Sequence, residues 1–561
     1  MARELQELRS RRDWDGSHHH DSGTDTGPVG SASSDDHTVA EDGEDDFYFT
    51  ASVVSLGEVF IEPQMAVDLF KTFTRLFRPQ LPILGPLAMD RMYESYPFLF
   101  WTIVIVVLDH SPLPDHIQIA RQLRPPYTRL LQQQLLEPPL PLHKVQALIL
   151  VIEWPLAVRS QTHDPSYVYC GVAVQAARLM GLDRQHMLPP LRGPAGTLQS
   201  RINAWLGCFY VTTALSMHMG LPTLIESELD HSVIQDYLRQ STMPPAFTTR
   251  VRVQLTVSRF ITLLNRDLGD PTALSLIRLL DSELTALRPE GLEGEAQARQ
   301  VEFSVLNAKM HLYTLFIAKT PCDSLSRQVM IRTTFSVALR IINIATSGWH
   351  DRPDAKQDEA FVQRQRSFPK NRYRGLSLAT VFLLKFFHNS PSASEEERQL
   401  AANHVCLAQE QFKTCSIGPE DEYARMSTLF EASARLKPEQ KDPNKLRLTH
   451  RMGISILLDT VTNVDEVHGR PAVVPDDGAP EPTTAGMAAT ATVDATTTAT
   501  TTATTTATME SSSDPMHDAY RQQYPEEYDA FGFGPAMMRE LWNDPILSMI
   551  DFDQQFYTME Y

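Results

Sequence analysis

Three observations predict an all-α fold, with an irregular multi-helix region between disordered acidic N- and C-terminal tails. Apolar residues recur at helical spacing from Ser55 to about Gly469. The alternation typical of strands is nearly absent, and no fixed period indicates a solenoid. The two ends hold nearly all of the excess negative charge, with 13 acidic and 4 basic side chains in residues 1–47 and 11 and 2 in residues 510–561.

Composition divides the chain into four segments. They are a disordered acidic tail (1–50), a helical domain (51–469), a Pro-, Ala- and Thr-rich linker (470–509) and an acidic-hydrophobic segment (510–561). The tail and the linker have too little apolar surface to offset the entropy of an ordered chain. We interpret the histidine tract at 18–20 as solvated tail and assign no metal site to it.

The first helices follow the apolar pattern in order. After Glu62-Pro63 a helix is predicted from the spacing of Met65, Leu69, Phe73, Leu76 and Phe77, and it ends before Pro79 and Pro82. The apolar run at 97–108 predicts a buried helix over 96–108, because it is shorter than the roughly 20 residues of a bilayer span. A third helix is predicted from about His143 to Trp154.

Two helices carry clear start and stop signals. Asp164-Pro165 begins one of them, because Asp accepts bonds from first-turn amides and Pro fits the first helical position, and Gly181 closes it. Thr197 begins the next, which ends at Gly220. Further helices are predicted around 248–266, 271–287, 300–319, 328–347, 374–388, 396–415, 420–435 and 445–459.

The sequence lacks the motifs of common catalytic sites. It contains no phosphate-binding loop, no nucleophile elbow, no H-E-x-x-H and no complete G-x-G-x-x-G. We interpret His218 as a core or boundary histidine, since no catalytic partner can be named for it. The five scattered cysteines are expected to be mostly buried and reduced. We therefore predict no enzyme activity, no cofactor and no metal in this chain.

Charge argues against direct binding of DNA by bulk electrostatics. The formal net charge is −19, whereas phosphate contacts need clustered Lys and Arg. One basic stretch, RQRSFPKNRYR, could contact phosphates or act as a nuclear import signal. We favour a solvated loop before a helix, because Asp358 and Glu359 dilute its charge. Its basic residues are Arg364, Arg366, Lys370, Arg372 and Arg374.

Five motifs occur in a recognisable order. They are SLGEVFIEPQMAVDLFKTFTRLFRPQLPIL (55–84), PFLFWTIVIVV (97–107), VQALILVIEWPL (145–156), DPSYVYCGVAVQAARLMGLDR (164–184) and INAWLGCFYVTTALSMHMGLP (202–222). Together they resemble the middle homology region of fungal zinc binuclear cluster (Zn2Cys6) transcription factors. They are most similar to the branch containing the weak-acid-resistance, leucine-biosynthesis and secreted-protease regulators. The resemblance covers roughly residues 55–470.

The resemblance implies an all-α regulatory domain associated with inhibition, inducer response and partner contacts. It assigns no residue to an effector site here, because the matched motifs are mainly core helices. Family members also bind zinc through an N-terminal module of six cysteines, which presents a basic helix to the major groove. This sequence has no cysteine before Cys170, and we interpret the module as absent, since a structural zinc site needs its full ligand set.

Residues 535–561 interleave acidic and bulky apolar side chains, a composition typical of disordered activation segments. The acidic groups keep the apolar ones in water until a short helix enters a coactivator groove. The alternative is a helix docked on its own domain, and the long linker favours activation. The residues predicted to bind a coactivator are Leu541, Trp542, Ile546, Leu547, Met549, Ile550, Phe552 and Phe556.

These observations predict a nuclear regulator of RNA polymerase II transcription, with DNA contact supplied by a missing N-terminal module or by a partner. Expected partners are coactivator or mediator-type proteins, a homo- or heterodimer with related regulators, and a small-molecule effector, but no membrane. The first alternative is a non-DNA-binding coregulator or competitor that acts through protein contacts. The second is an α-helical enzyme of unrecognised type, which would need a polar pocket with convergent titratable groups.

Overall fold

The computed structural model describes most of the chain between Asp45 and His468. The described ranges are 45–138, 140–158, 164–184, 197–264, 270–287, 294–320, 325–346, 359–388, 393–418, 421–436 and 454–468. Residues 1–44, the linker and the acidic C-terminal segment lie outside them. Within the described ranges the fold is all-α apart from one short hairpin and one isolated bridge, which confirms the predicted class.

The described part begins with residues that the sequence assigns to the N-terminal tail. Asp45 accepts two hydrogen bonds from Arg78, at 2.7 and 2.8 Å, and one from the backbone amide of Leu87 at 2.9 Å. Asp46 forms a backbone bridge with Ala88. The Asp45 carboxylate and the Asp46 backbone therefore pair with groups of the helical domain, which the sequence predicts to begin at residue 51.

A two-stranded antiparallel hairpin precedes the first helix. β1 (Val54–Leu56) pairs with β2 (Val59–Ile61), and Gly57 in the turn has a φ of +61°. Three residues per strand are too few to produce a visible alternation, so the sequence pattern missed the hairpin. α1 (Pro63–Thr72) follows and continues through one π-helical turn at Phe73–Phe77.

Sixteen further helices follow in the described ranges. The next eight are α2 (Met89–Ser95), α3 (Pro97–Asp109), α4 (Pro114–Leu136), α5 (Leu142–Glu153), α6 (Ser166–Leu179), α7 (Leu198–Met219), α8 (Glu228–Gln240) and α9 (Pro245–Leu264). The last eight are α10 (Asp270–Ala286), α11 (Glu295–Lys319), α12 (Leu325–Thr346), α13 (Glu359–Arg366), α14 (Lys370–Leu383), α15 (Glu395–Cys415), α16 (Glu422–Arg435) and α17 (Ile454–His468). A π-helical turn, Leu384–His388, extends α14.

Most predicted helices occur near their expected positions, and four helices were missed. The missed ones are α2, α4, α8 and α13. α4 holds Pro125 and Pro126 in its interior, and proline ordinarily ends a helical pattern. The last prediction, 445–459, is displaced: α17 begins at Ile454, and residues 445–453 lie outside the described ranges.

The predicted helix ends are largely confirmed. Asp164 Oδ1 accepts the backbone amide of Ser166 at 3.0 Å, although Pro165 precedes the first helical residue of α6 and does not occupy it. Thr197 caps α7 by accepting the amide of Ser200 at 3.2 Å. Gly181 and Gly220 adopt the left-handed conformation that closes a helix.

Two apolar cores organise these helices. The first core spans Val54 to Leu255, and the second combines Met217 with residues from Val253 to Ile456. We call the part from the hairpin to α8 the first half and the part from α10 to α17 the second half, and α9 packs into both. α7 reaches the second core through Met217.

Two stretches have the length and composition of a membrane span. α12 passes that test alone, with 44% of its apolar window buried, and α2 with α3 passes it as a pair bent by 119°. α3 is buried along nearly its whole length against other helices. Core helices commonly have such a composition, and packing inside the domain accounts for that of α3.

The cysteines fit the expected core role in part. Cys170, Cys208 and Cys415 are buried, Cys406 is exposed, and Cys322 lies outside the described ranges. Burial raises the pKa of Cys208 and that of Cys415 to about 12. The buried thiols are therefore protonated and unreactive at neutral pH.

Candidate functional site

The coactivator-binding residues predicted from the sequence, which run from Leu541 to Phe556, lie outside the described residues, so that prediction stays a prediction. The histidine tract at 18–20 also lies outside them. The described chain offers a different site, a polar junction between the two halves. We define the junction by Asp164 of the first half and by Lys370 and Arg374 of the second half.

The basic stretch at 364–374 builds the junction, and the expectation of a solvated loop was wrong. The stretch forms the end of α13 and the start of α14. Arg364 is exposed, but Arg366 and Arg374 are each 5% exposed. The charges nearby in the sequence do not determine whether this stretch is buried, because the partners of its cations come from distant parts of the chain.

Asp164 is the main counter-charge in the junction. Its Oδ2 lies 3.0 Å from Lys370 Nζ and 3.2 Å from Arg374 Nη2, and its own side chain is 3% exposed. Burial alone would raise the pKa of Asp164, but the two cations and the bonds from Ser166 hold that pKa at about 2. Lys370 also lies 3.0 Å from Glu422, so the cluster joins the segment that precedes α6 to α14 and α16.

Arg366 forms a second link between the halves. Its guanidinium donates to the carbonyl of Cys415 at 2.5 Å and, across the junction, to the carbonyl of Asp109 at 3.3 Å. It lies 3.4 Å from Asp421 and stacks over the ring of Tyr423 at 5.0 Å. A neighbouring hydrogen bond has its donor in the first half: the indole of Trp154 donates to the carbonyl of Ser367 at 3.0 Å.

A third group of polar side chains surrounds Tyr210. Its hydroxyl accepts hydrogen bonds from Arg250 at 2.5 Å and from Asn371 at 2.8 Å. Glu153 lies in the field of Arg250 and Arg374, yet its Oε1 has no hydrogen-bond partner among the described residues. Burial raises the pKa of Glu153 to about 7 against the pull of both cations.

His218 is a buried core histidine, as the sequence suggested. Its ring meets the ring of His311 edge to face, with centroids 6.0 Å apart. Burial lowers the pKa of His218 well below its usual value and that of His311 to about 4, so both are neutral at pH 7. His218 Nδ1 and both ring nitrogens of His311 have no hydrogen-bond partner in the described chain.

Two adjoining clefts open beside this junction. The larger has room of about 60 Å³ for water-sized molecules and the smaller about 20 Å³, and both are lined by Phe368, Tyr373 and Tyr423. The larger cleft takes one wall from the first half, at 155–158, and one from the second half, where Arg366 and Lys370 lie. A molecule bound there would contact both halves.

The chemistry of the junction suits binding better than catalysis. Its titratable groups converge, as an active site would require, but Asp164, Lys370 and Arg374 mainly bind one another. Within the described ranges no group of three or more His, Cys, Asp or Glu side chains is arranged to hold a metal ion.

Sequence patterns could not identify this site, although one signal was present. Five cations within eleven residues are unusual inside a helical domain, and the apolar residues that follow at 376–384 indicate that the same helix enters the core. Burial of such a segment demands counter-charges. Asp164 was noticed only as a helix start, so its second role as a partner of Lys370 was missed.

The fold and the site define an all-α domain of two apolar cores with a polar, cleft-bearing junction. Its sequence is similar to the transcription factor named SEF1 in Eremothecium gossypii, with 24% identity over 311 residues, which is 53% of this chain and 28% of that protein. The SEF1 transcription factor of Kluyveromyces lactis is 23% identical over 308 residues, covering 52% of this chain and 26% of its own.

The transcriptional regulatory protein SEF1 of Candida albicans is 23% identical over 320 residues, which is 53% of this chain and 33% of that protein. The chain thus spans about a quarter to a third of the length of these curated relatives. No family model matches the chain. No solved structure matches it either.

Proposed function

We propose that this protein is a regulator of transcription and that its helical domain is the regulatory part. One observation carries the proposal: homologues named as transcription factors align with about half of the chain. The all-α fold agrees with a domain that makes contacts with partners. In this proposal the protein acts in the nucleus and is not an enzyme.

The finer proposal is a regulator of the zinc-cluster type. The five motifs between residues 55 and 222 support it, since in their order they resemble the middle homology region of that family. Contact with DNA is proposed to come from a module or partner outside these 561 residues, because the bulk charge of −19 opposes phosphate binding.

The C-terminal segment is proposed to recruit the transcription machinery. Residues 535–561 combine large apolar side chains with acidic ones, which suits a short helix that enters an apolar groove of a coactivator. Trp542, Leu547, Ile550 and Phe552 are the residues we expect to contribute most, because large apolar anchors dominate such interfaces.

A tethered reporter assay tests this function. The full chain is fused to a heterologous DNA-binding domain in fungal cells, and transcription of a reporter with the matching site is measured. We expect activation by the full chain and a signal no higher than that of the DNA-binding domain alone after deletion of residues 535–561. Deleting an equally long piece of the linker, residues 483–509, is the control and should leave activation intact.

Two outcomes would contradict the proposal in different ways. Full activation without residues 535–561 would show that the segment does not activate. No activation or repression by any fusion, with normal protein levels in the nucleus, would contradict the regulatory function itself.

A further inference from the structure

We infer that His218 and His311 form an acid-sensitive contact between the two halves, which opens when the imidazoles gain protons. We call this contact the histidine pair. One histidine comes from α7 of the first half and the other from α11 of the second half. The inference goes beyond the proposed function, because the contact opens or stays closed in acid whether or not the chain regulates transcription.

The histidine pair lies where the first half enters the second core. His218 directly follows Met217, through which α7 reaches that core, and His311 stands on α11 between Met310 and Leu312 of the same core. The two histidines are 7% and 2% exposed, and their rings meet edge to face with centroids 6.0 Å apart. A change in either imidazole therefore acts directly on the packing between the halves.

The surroundings of the histidine pair do not satisfy its polar atoms. A neutral imidazole carries one N–H donor and one acceptor, and a protonated imidazole carries two donors. Neither ring nitrogen of His311 has a hydrogen-bond partner among the described residues, and Nδ1 of His218 has none there either. An apolar side chain would avoid this cost. A residue that disagrees with its surroundings in this way is expected mainly at functional positions.

The charged groups around His218 oppose a proton on its ring. Lys370 and Arg374 of α14 act on His218 as cations, and together with burial they hold its pKa well below the usual value. Asp164 is already paired with both cations. Glu153 of α5 lies in the field of Arg374, but burial raises the pKa of Glu153 to about 7, so acid removes its charge as well.

Charged side chains of the other elements that pack against α7 and α11 engage partners of their own. Cys170 of α6 lies in the field of Arg374 and stays a neutral thiol, because burial raises its pKa. Burial alone lowers the pKa of His311 to about 4. The engaged groups are Asp230 of α8 with Arg178, Arg250 of α9 with Tyr210, Asp281 of α10 with Lys309, Arg340 of α12 with Glu302, and Asp459 of α17 with Lys385.

Acid should therefore favour the open contact. A proton on the closed pair would place a buried positive charge beside two cations, whereas an opened imidazole takes the proton in water. Because the pKa of His311 is about 4 in the closed contact and 6.5 in water, the contact is fully stable above pH 6.5 and weakens as pH falls towards 4. For His311 alone, the equilibrium constant for opening should rise about thirtyfold between pH 7.5 and pH 5.

Hydrogen exchange followed by mass spectrometry tests the inference on the full chain. Labelling at pH 7.5 and at pH 5 is corrected for the intrinsic pH dependence of amide exchange. Peptides covering 209–219 of α7 and 305–317 of α11 should open at least about tenfold more readily in acid. Peptides from α1, which contains no histidine, should change less than about threefold, because the contact opens before the domain unfolds.

Glutamine variants identify the groups that gain the protons. His311→Gln and His218→Gln each keep a polar side chain that cannot be protonated, so each should reduce the acid response of those peptides by at least about fivefold. The response is a ratio within one variant, which removes differences in stability at pH 7.5. If one variant does not fold, the other is used. His143→Gln is the matched control, because burial also lowers the pKa of His143 to about 4, but its ring packs on Tyr96 in the first half.

Three results would overturn the inference. They are no acid response at 209–219 and 305–317, an equal response in α1, or an unchanged response in a folded His311→Gln or His218→Gln variant. None of them bears on the reporter assay with residues 535–561, which tests the regulatory function separately.

Discussion

α3 and α14 are both buried, but they differ in the side chains that are buried, which are almost all apolar in α3 and include paired cations in α14. In α3 every residue from Phe98 to Asp109 is buried and almost all are apolar, so removal of apolar surface from water stabilises it. α14 instead begins with Lys370, Arg372 and Arg374, and only its later turns are apolar. The contrast teaches that a basic stretch can belong to the core of a helical domain when distant carboxylates meet it.

Removing the Asp164 carboxylate should lower the free energy of unfolding more than any other change proposed here, because it breaks the buried ion pairs with Lys370 and Arg374. Asp164→Asn leaves Lys370 and Arg374 buried without their shared carboxylate, and loss of one partner of a buried pair costs about 3–5 kcal/mol. Urea unfolding followed by circular dichroism measures the loss. The control is Glu295→Gln, which removes an exposed partner of Arg299 and should cost about 0.5 kcal/mol or less. Equal effects of the two variants would contradict the buried role of Asp164.

Glu153 offers a second test, because it is a buried carboxyl whose pKa is raised by burial against the pull of Arg250 and Arg374. Its pKa is raised from 4.5 to about 7, so the folded protein keeps the proton longer than the unfolded chain does. The contribution of Glu153 to stability should therefore fall as pH rises from about 4.5 to about 7. Glu153→Gln should be more stable than the unmodified protein at pH 8, by on the order of 1–3 kcal/mol, and similar to it at pH 4.5.

Unfolding curves across this pH range check the prediction. A constant difference between Glu153→Gln and the unmodified protein from pH 4.5 to pH 8 would mean that Glu153 does not titrate as described. Glu295→Gln is again the control, because its carboxylate is exposed.

A smaller effect tests how closely α14 approaches α11. A Cβ on Gly375 would lie 2.6 Å from Asn307 Oδ1 and 3.2 Å from Phe303, so Gly375→Ala should cost about 1–3 kcal/mol. Gly171→Ala is the matched control in α6, where a Cβ meets nothing within 4 Å and should stabilise the helix by about 0.5–1 kcal/mol. Denaturant midpoints of the two variants should move in opposite directions, and movement in the same direction would contradict the close contact.

Local patterns were sufficient to predict helices that obey them. α6 and α7 combine apolar spacing with a start signal and a closing glycine, and both were found with nearly correct ends. α4 violates the pattern, since Pro125 and Pro126 stand inside it. Its buried face, which includes Tyr127 with a 2.8 Å hydrogen bond to Thr102, holds it together despite the lost backbone bonds.

The junction could not be predicted in the same way. Its partners are far apart in the chain, and no local spacing relates Asp164 to Lys370 or Trp154 to Ser367. Hydrophobic patterns report which face of one helix is buried, but they do not report which distant face covers it. The balance of charge in the clefts depends on these long-range pairs, so it can be determined only from the folded structure.

The long separation in the junction has a consequence for synthesis of the protein. Lys370 follows Asp164 by 206 residues. A ribosome that adds about 5–20 residues per second needs roughly 10–40 s to make this stretch. During that interval the newly made first half presents Asp164 and the cleft wall at 155–158 without their covering helices. Nascent chains that stall before α14 would therefore hold the Asp164 carboxylate without the two cations that pair with it in the finished fold.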